Sequence, residues 1–334
     1  MDDILRLDNL QTGYAAQGSG KVVTSNINEV LKRGELVCLI GPNGAGKSTL
    51  MKTISGQQKP ISGKVYLQDK EIHQIPPKVL AKQLSLVLTE QVSAGMLSAF
   101  EVVALGRYPH TGWAGTLSKR DHQIVREAIS MAGADELMQR TLSELSDGER
   151  QKIMVARAFA QEPEIMILDE VTAFLDLPRR VEIMRLLQKM ARETNKAILL
   201  STHDMDLALR GSDRIWLLPK GGELATGSPE DLVIDGSFQS VFSSEGVQFD
   251  SQSGSFKIQA AYSTKASVIG AGEVATWTKR ALERNGIEVT DGSPTTVTIE
   301  PTNHENTWLI NHDGQAKTAN SIYELINKLN SRNT

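Results

Sequence analysis

The nine residues "GPNGAGKST", Gly41 to Thr49, follow the apolar run "LVCLI" and open a helical pattern, and they constrain the fold more than any other stretch of the chain. They satisfy G-x-x-x-x-G-K-[ST] in the order strand, loop, helix that the pattern requires. In such a loop Gly41, Gly44 and Gly46 let the backbone turn its N–H groups inward around a β-phosphate, with Pro42, Asn43 and Ala45 between them. Lys47 then meets the β- and γ-oxygens, and Ser48, followed by Thr49, supplies a hydroxyl that can ligate Mg2+. A glycine-rich helix cap formed by chance is the plain alternative, and the flanking strand and helix argue against it.

A phosphate loop of this kind implies strand–helix alternation, and most of the chain obeys it. Up to about residue 90 we read strands and turns ("ILRLDNL", "GKVVTSNINEVLKRGELVCLIG", "SGKVYLQDKEI") with a helix from Lys47. From about 97 to 160 the pattern turns helical, with Ile124, Ala128, Ile129 and Met131 at near-helical spacing, which predicts an inserted helical subdomain. Alternation resumes with "EIMILDE", "RRVEIMRLLQKMARETN", "KAILLSTHD" and "DRIWLLPKGGELATG", predicting a largely parallel sheet covered by helices. Residues 236–262 are rich in Ser, Gly and Gln and read as a connecting segment with one hairpin. Residues 263–334 follow a β-α-β-β-β-α pattern, a small separate α/β module.

Composition narrows the partners. The net charge of −4 gives no basic face for nucleic acid, so no nucleic-acid partner is expected. Cys38 is the only cysteine, which excludes an internal disulfide and a cysteine zinc site and leaves a buried thiol. No apolar stretch approaches the ~18 residues of a membrane span, and the start "MDDILRLDN" is acidic where a signal peptide is basic. The expectation is a chain soluble by itself, reaching a membrane only through a partner.

Two strand ends add chemistry to the loop. "IMILDE" ends in adjacent carboxylates: Asp169 can hold Mg2+ through its water shell, and Glu170 can orient or deprotonate an attacking water. His203 ends the strand of "LLSTHD" on the same rim, where it can touch a γ-phosphate or that water. A third segment, "LSDGERQ", opens the helical run "KIMVARAFA". Ser146 and Glu149 have capping-box spacing, while the helix N-terminus behind them is also an anion site.

Together these motifs resemble the ATP-binding cassette ATPases over roughly residues 3 to 235. The resemblance implies an α/β P-loop NTPase cassette at 1–235, ATP hydrolysis, and ATP with Mg2+ as ligands. It assigns adenine stacking to Tyr14 in "LQTGY", the D-loop aspartate to Asp176 in "AFLD", and the switch histidine to His203. It also makes "LSDGE" (Ser146, Asp147, Gly148, Glu149) the signature that caps, in trans, the γ-phosphate held by the P-loop of a second copy. Four positions depart from the family pattern. Asp147 replaces a signature glycine, Glu149 replaces glutamine, and Val171 replaces the proline of "LDEPT". In "LVLTEQ", Glu90 falls where a glutamine meets Mg2+ and the permease, with Gln91 one residue away as the alternative.

Within the family, "SAFEVVALGRYPHTGW" (98–113) resembles cassettes of importers for iron-siderophore complexes, haem and cobalamin, although its Gly and Pro also suit a simple helix-ending turn. The resemblance implies a peripheral subunit on the cytoplasmic face of the membrane, a homodimer bound to transmembrane permease subunits, and a separate substrate-binding protein. An exporter ATPase is the alternative. One P-loop and no sustained heptads argue against the ribosomal and DNA-repair types.

In the last module, "VIGAGEVATWTKRAL" satisfies G-x-G-x-x-[GA] through Gly270, Gly272 and Ala275, with Glu288 or Asp291 near the place of a ribose acid. About 70 residues cannot supply both halves of a dinucleotide fold. The plainer reading is a tight βα turn in a regulatory or structural module, with Trp277 and Trp308 in its core.

Overall fold

Three strands with every residue buried, Leu36–Ile40, Ile165–Asp169 and Ala197–Ser201, form the centre of the first of two units into which the chain divides. The units are Met1–Phe242 with Ser251–Ser255, and Ser243–Asp250 with Phe256–Thr334. The computed structural model describes residues 3–14, 21–88, 96–113, 115–243, 247–251, 254–258, 262–301, 306–312 and 315–330.

The chain begins with β1 (Asp3–Tyr14), β2 (Lys21–Lys32), β3 (Leu36–Ile40), α1 (Lys47–Ile54), β4 (Ser62–Leu67), β5 (Lys70–Glu71), α2 (Pro77–Gln83) and β6 (Leu84–Val87). The helical insertion holds α3 (Ala99–Ala104), α4 (Lys119–Met131) and α5 (Asp147–Ala160). Then come β7 (Ile165–Asp169), α6 (Leu177–Thr194), β8 (Ala197–Ser201), α7 (Met205–Gly211), β9 (Arg214–Leu217), β10 (Ala225–Gly227), α8 (Pro229–Ile234) and α9 (Ser237–Phe242).

One sheet has the order β10-β9-β3-β8-β7-β6, parallel except for the β9–β10 pair. Burial on both faces explains why its central strands read as continuous apolar runs. The other, β2-β1-β4-β5, is antiparallel. A single core joins the two sheets and α1, with Leu5, Leu31, Leu39, Leu50, Ile167, Leu199 and Trp216 among its members. The parallel register aligns the ends of β3, β7 and β8, and the loops carrying Lys47, Glu170 and His203 leave from that rim.

In the insertion, α3, α4 and α5 touch one another pairwise, and Ile124, Ala128 and Ile129 are buried while Met131 is half-buried. The stretch 105–110 is a 3-10 turn rather than a continuation of the α-helix, because Pro109 cannot extend the ladder. Gly106 has no room for a side chain: a Cβ there would collide with the Arg157 carbonyl on α5.

β11 (Val247–Asp250) and β12 (Ser255–Ile258), in the second unit apart from Ser255, form a two-stranded hairpin. It is followed by β13 (Thr264–Ile269), α10 (Gly272–Arg284), β14 (Ile287–Val289), β15 (Thr295–Pro301), β16 (Asn306–His312), β17 (Gln315–Ala319) and α11 (Ile322–Asn330). The sheet order is β14-β13-β15-β16-β17, around a core of Ala266, Leu282, Val297, Trp308, Ile310 and Leu325. Three expectations need correction. The module has one strand more than its pattern predicts, because β17 is an edge strand with four of five residues exposed and no apolar alternation. The stretch read as a connection contains α9 as well as a hairpin. Trp308 is in the core, but Trp277 is half-exposed on the outer face of α10, with the Arg280 guanidinium 5.0 Å from its ring centre. Among the described residues no helix is long and apolar enough to cross a membrane.

Candidate nucleotide site

The loop between β3 and α1 has glycine where the surrounding chain demands it. A Cβ on Gly41 would collide with the Leu218 carbonyl just after β9, and Gly46, at φ 107°, caps α1 in a left-handed conformation with Val23 against it. Lys47 is buried and its Nζ donates to the Gly41 carbonyl at 2.8 Å, so the ammonium lies across the loop. Burial lowers its pKa, while the carboxylates of Glu170 and Asp169 pull the other way.

Tyr14, Lys21, Asn43, Ser48, Glu170 and His203 line one open cleft with Lys47. The Tyr14 hydroxyl is 3.1 Å from Thr49 Oγ1 and its ring is more than half exposed, available to a stacking partner. Pro42 is half-buried and Ala45 fully buried beneath the loop.

Asp169, the last residue of β7, is buried and accepts a hydrogen bond from Ser201 Oγ at 2.5 Å across the register pair Asp169 and Ser201. Glu170 follows in a left-handed conformation, φ 52°, which costs a non-glycine residue about 1–3 kcal/mol. Its N–H, bonded to the Ser201 carbonyl and hydroxyl at 3.1 Å each, holds it there, and Val171 is buried behind it. The Glu170 carboxylate accepts from His203 Nε2 at 2.6 Å, which puts the imidazole proton on that nitrogen.

The signature residues do not line this cleft. Ser146 caps α5: its hydroxyl accepts from the Glu149 N–H, and the Glu149 carboxylate accepts from the Ser146 N–H and hydroxyl at 2.8 and 2.7 Å. Those bonds from Ser146 lower the Glu149 pKa. Asp147 is exposed, with Arg150 3.7 Å away in the next turn, so its charge has a partner inside the chain. Gly148 is buried under the Arg179 side chain. Asp176 caps α6, accepting from the Arg179 N–H at 3.0 Å. Glu90 and Gln91 lie outside the described residues.

In the "GRYP" segment Arg107 is buried and binds Asp121 at 2.9 Å, Glu162 at 2.9 Å and the Ala160 carbonyl at 2.6 Å, a structural clasp. In the second unit the glycine fingerprint has a packing explanation. Gly270, at φ 148°, abuts Ile299, Ala275 is core, and Glu288 pairs with Lys265 at 3.1 Å.

Sequence reasoning missed Lys21 and Ser201. Lys21 belongs to no motif and reaches the cleft because β2 pairs it with Tyr14. Ser201 stands two residues before His203, and only the β7–β8 register reveals that it holds Asp169.

A family model described as "ABC transporter" matches residues 24–173, and one described as "Iron ABC transporter C-terminal domain" matches residues 263–330. An uncharacterized ABC transporter ATP-binding protein of Methanocaldococcus jannaschii is 47% identical over 69% of this chain and 78% of its own. The iron(3+)-hydroxamate import ATP-binding protein FhuC of Bacillus subtilis is 34% identical over 71% of this chain and 88% of its own. Among solved structures, a metal-chelate type ABC transporter in an inward-facing conformation matches with a TM-score of 0.62 at 26% identity, covering 72% of this chain and 89% of that one. A dimeric cassette bound to ADP and Pi after hydrolysis matches with a TM-score of 0.57 at 28% identity, covering 68% and 99%. With the phosphate loop, the strand-end carboxylates and these relatives in agreement, the chain belongs to the ATP-binding cassette family and is an ATP-binding cassette ATPase of the ABC transporter type.

Proposed function

We propose that the chain is the ATPase subunit of a membrane importer for iron-siderophore, haem or cobalamin-type substrates, working as a head-to-tail homodimer with ATP at the interface. The observation that carries the dimer is the separation within one chain. The cleft gathers the P-loop, Tyr14, Glu170 and His203, while Ser146 to Glu149 on α5 lie outside it and are free to serve a second copy. The similar cassette solved as a dimer with ADP and Pi supports this reading.

The residues suit Mg·ATP. Three glycines open the loop backbone to phosphate, Lys47 supplies a cation, and Ser48 and the buried Asp169 offer the hard oxygen donors that Mg2+ takes. These two would hold the ion, which neutralises developing charge on the phosphates. Glu170, aimed by its bond to His203, accepts the proton of the attacking water, and His203 keeps the carboxylate in that orientation. Asp176, at the start of α6, is the D-loop residue of this scheme.

A surface for transmembrane permease subunits is supported by the insertion, where Met96, Leu97, Leu105, Tyr108 and Trp113 are exposed. Docking there makes the cassette a peripheral subunit on the cytoplasmic face, with a separate substrate-binding protein serving the permease. The import direction and chelate class draw support from the hydroxamate-import relative and the metal-chelate transporter structure. An exporter ATPase would have the same cleft. Reconstituting the chain with its co-purified permease in vesicles and following ATP-driven movement of ferric hydroxamate, haem and cobalamin decides between them: inward transport of one is expected, and exclusively outward flux overturns the importer reading.

A further inference from the structure

Two carboxylates stand in a signature that is read as receiving a triphosphate, and the structure shows what surrounds them. Gly148, in the first turn of α5, lies directly under the Arg179 side chain: a Cβ there would be 3.1 Å from Cδ, 3.2 Å from Cγ and 3.4 Å from Nε of Arg179, a close contact that only a small shift of that side chain relieves. Arg179, in the first turn of α6, thus lies across the N-terminal turn of α5. Asp176 holds its backbone N–H, and its side chain is 47% exposed. Its guanidinium bonds Glu182 at 2.9 Å, but Glu182 is also served by Lys152 at 2.5 Å.

Charge accounting at this end of α5 therefore balances. Asp147, Glu149, Asp176 and Glu182 are matched by Arg140, Arg150, Lys152 and Arg179. Of the three cations in ion pairs here, Arg150, Lys152 and Arg179, Lys152 is the least accessible, and Arg150 faces Asp147. Arg179 is the most exposed of them, it sits against the signature glycine, and its carboxylate partner keeps a second cation if Arg179 turns away. A planar guanidinium beside helix N–H groups matches a phosphate oxygen pair.

Resting on the head-to-tail dimer proposed above, we propose that Arg179 is a phosphate-binding residue of the completed ATP site, contacting the nucleotide held by the P-loop of a second copy and offsetting the charge of Glu149. It acts beside the signature backbone and is separate from the P-loop cation Lys47.

The test measures ATP-dependent dimerisation of the full chain by light scattering in the Glu170→Gln background, for the parent, Arg179→Gln, Arg179→Lys and Glu182→Gln. Loss of a charge-assisted bond predicts a fall on the order of ten-fold per site, hence about a hundred-fold in the association constant of a dimer with two sites, for Arg179→Gln. Lysine should recover part of it. Glu182→Gln frees Arg179 and should leave association equal or stronger, and the protomer's own nucleotide affinity should stay at the parent value in every variant. If Arg179→Gln associates like the parent, the role of Arg179 is overturned and the dimer stands. If Glu182→Gln loses as much as Arg179→Gln, Arg179 merely holds α6 to α5, and a changed protomer affinity likewise overturns a role in trans. A parent that stays monomeric with Mg·ATP overturns the dimer reading and this proposal with it.

Discussion

His203 Nε2 and Glu170 Oε1 lie 2.6 Å apart, joining the ends of two neighbouring parallel strands at the mouth of the nucleotide cleft. The bond fixes a carboxylate whose backbone is already held in a left-handed turn, so the proton acceptor is positioned before substrate arrives. Glu170→Gln should lower ATP turnover by about 10²–10⁴-fold with nucleotide affinity preserved. His203→Ala should also lower turnover, by releasing the carboxylate. Phosphate release and nucleotide titration measure the two effects, and parent-like turnover in Glu170→Gln excludes this residue as the base.

Lys47→Ala should abolish ATP binding or hydrolysis and leave the fold intact, because among the described residues its Nζ bonds loop carbonyls, the nearer being Gly41 O and the other Pro42 O. Its pKa is lowered by burial, so the ammonium is lost at a lower pH than from an ordinary lysine. Nucleotide affinity should accordingly decline as pH rises toward the usual lysine range. Calorimetric titration across alkaline pH, with circular dichroism as the fold control, checks both statements.

Much of this site was legible because its signals are local. The strands β3, β7 and β8 are buried on both faces and so appear as apolar runs, and the groups at their ends follow directly in sequence. What escaped depends on pairing across the fold. Ser201 reaches Asp169 through strand register, Lys21 reaches the cleft through its pairing with Tyr14, and Arg179 meets Gly148 where the first turns of α6 and α5 touch. The helix α2 has no fully buried residue and β17 is exposed at four of five positions, so neither leaves an apolar period to read. Trp277 misled for the converse reason: a large aromatic suggests a core, yet its helical phase turns it outward.

Asp147→Asn should strengthen ATP-dependent dimerisation modestly. A carboxylate ~8 Å from a phosphate at an effective dielectric of ~20 opposes it by up to roughly 2 kcal/mol. Arg150, 3.7 Å from Asp147, offsets much of that in the native chain. The gain should therefore be larger in an Arg150→Gln background and shrink as salt rises. The dimer midpoint at low and high salt in the Glu170→Gln chain reads this directly, and a salt-independent gain would point away from electrostatics.

Arg107→Ala should destabilise the cassette by about 3–5 kcal/mol, because it removes a buried cation from Asp121, which keeps its Ser118 hydrogen bonds, and takes a donor from the Ala160 carbonyl. Hydrogen bonds from Ser118, with Arg107 beside it, bring the Asp121 pKa down to about 2. A depressed carboxylate pKa stabilises the fold above its unfolded value, near 4, and that contribution is lost as pH falls toward the folded value. Thermal melts from pH 5 to pH 2 should show a loss of stability that Asp121→Asn reduces. An identical acid profile in Asp121→Asn would remove this carboxylate from the account.

A chain ending at Phe242 should keep nucleotide binding and measurable ATPase activity. Every described residue of the cleft lies in the first unit, which has its own core around Leu5, Leu50, Ile167 and Leu199. The second unit has its own core around Leu282, Val297 and Trp308, so it should influence rate or assembly without supplying phosphate contacts. A truncated chain that is folded by circular dichroism yet fails to bind ATP would contradict this division. The full chain carrying Lys47→Ala, whose P-loop site is disabled, isolates the remaining question of the glycine fingerprint. With Gly270 set by Ile299 and Glu288 paired to Lys265, it should show no binding of adenine dinucleotides in calorimetry, whereas saturable heat lost on Gly272→Ala would assign a ligand to the turn before α10.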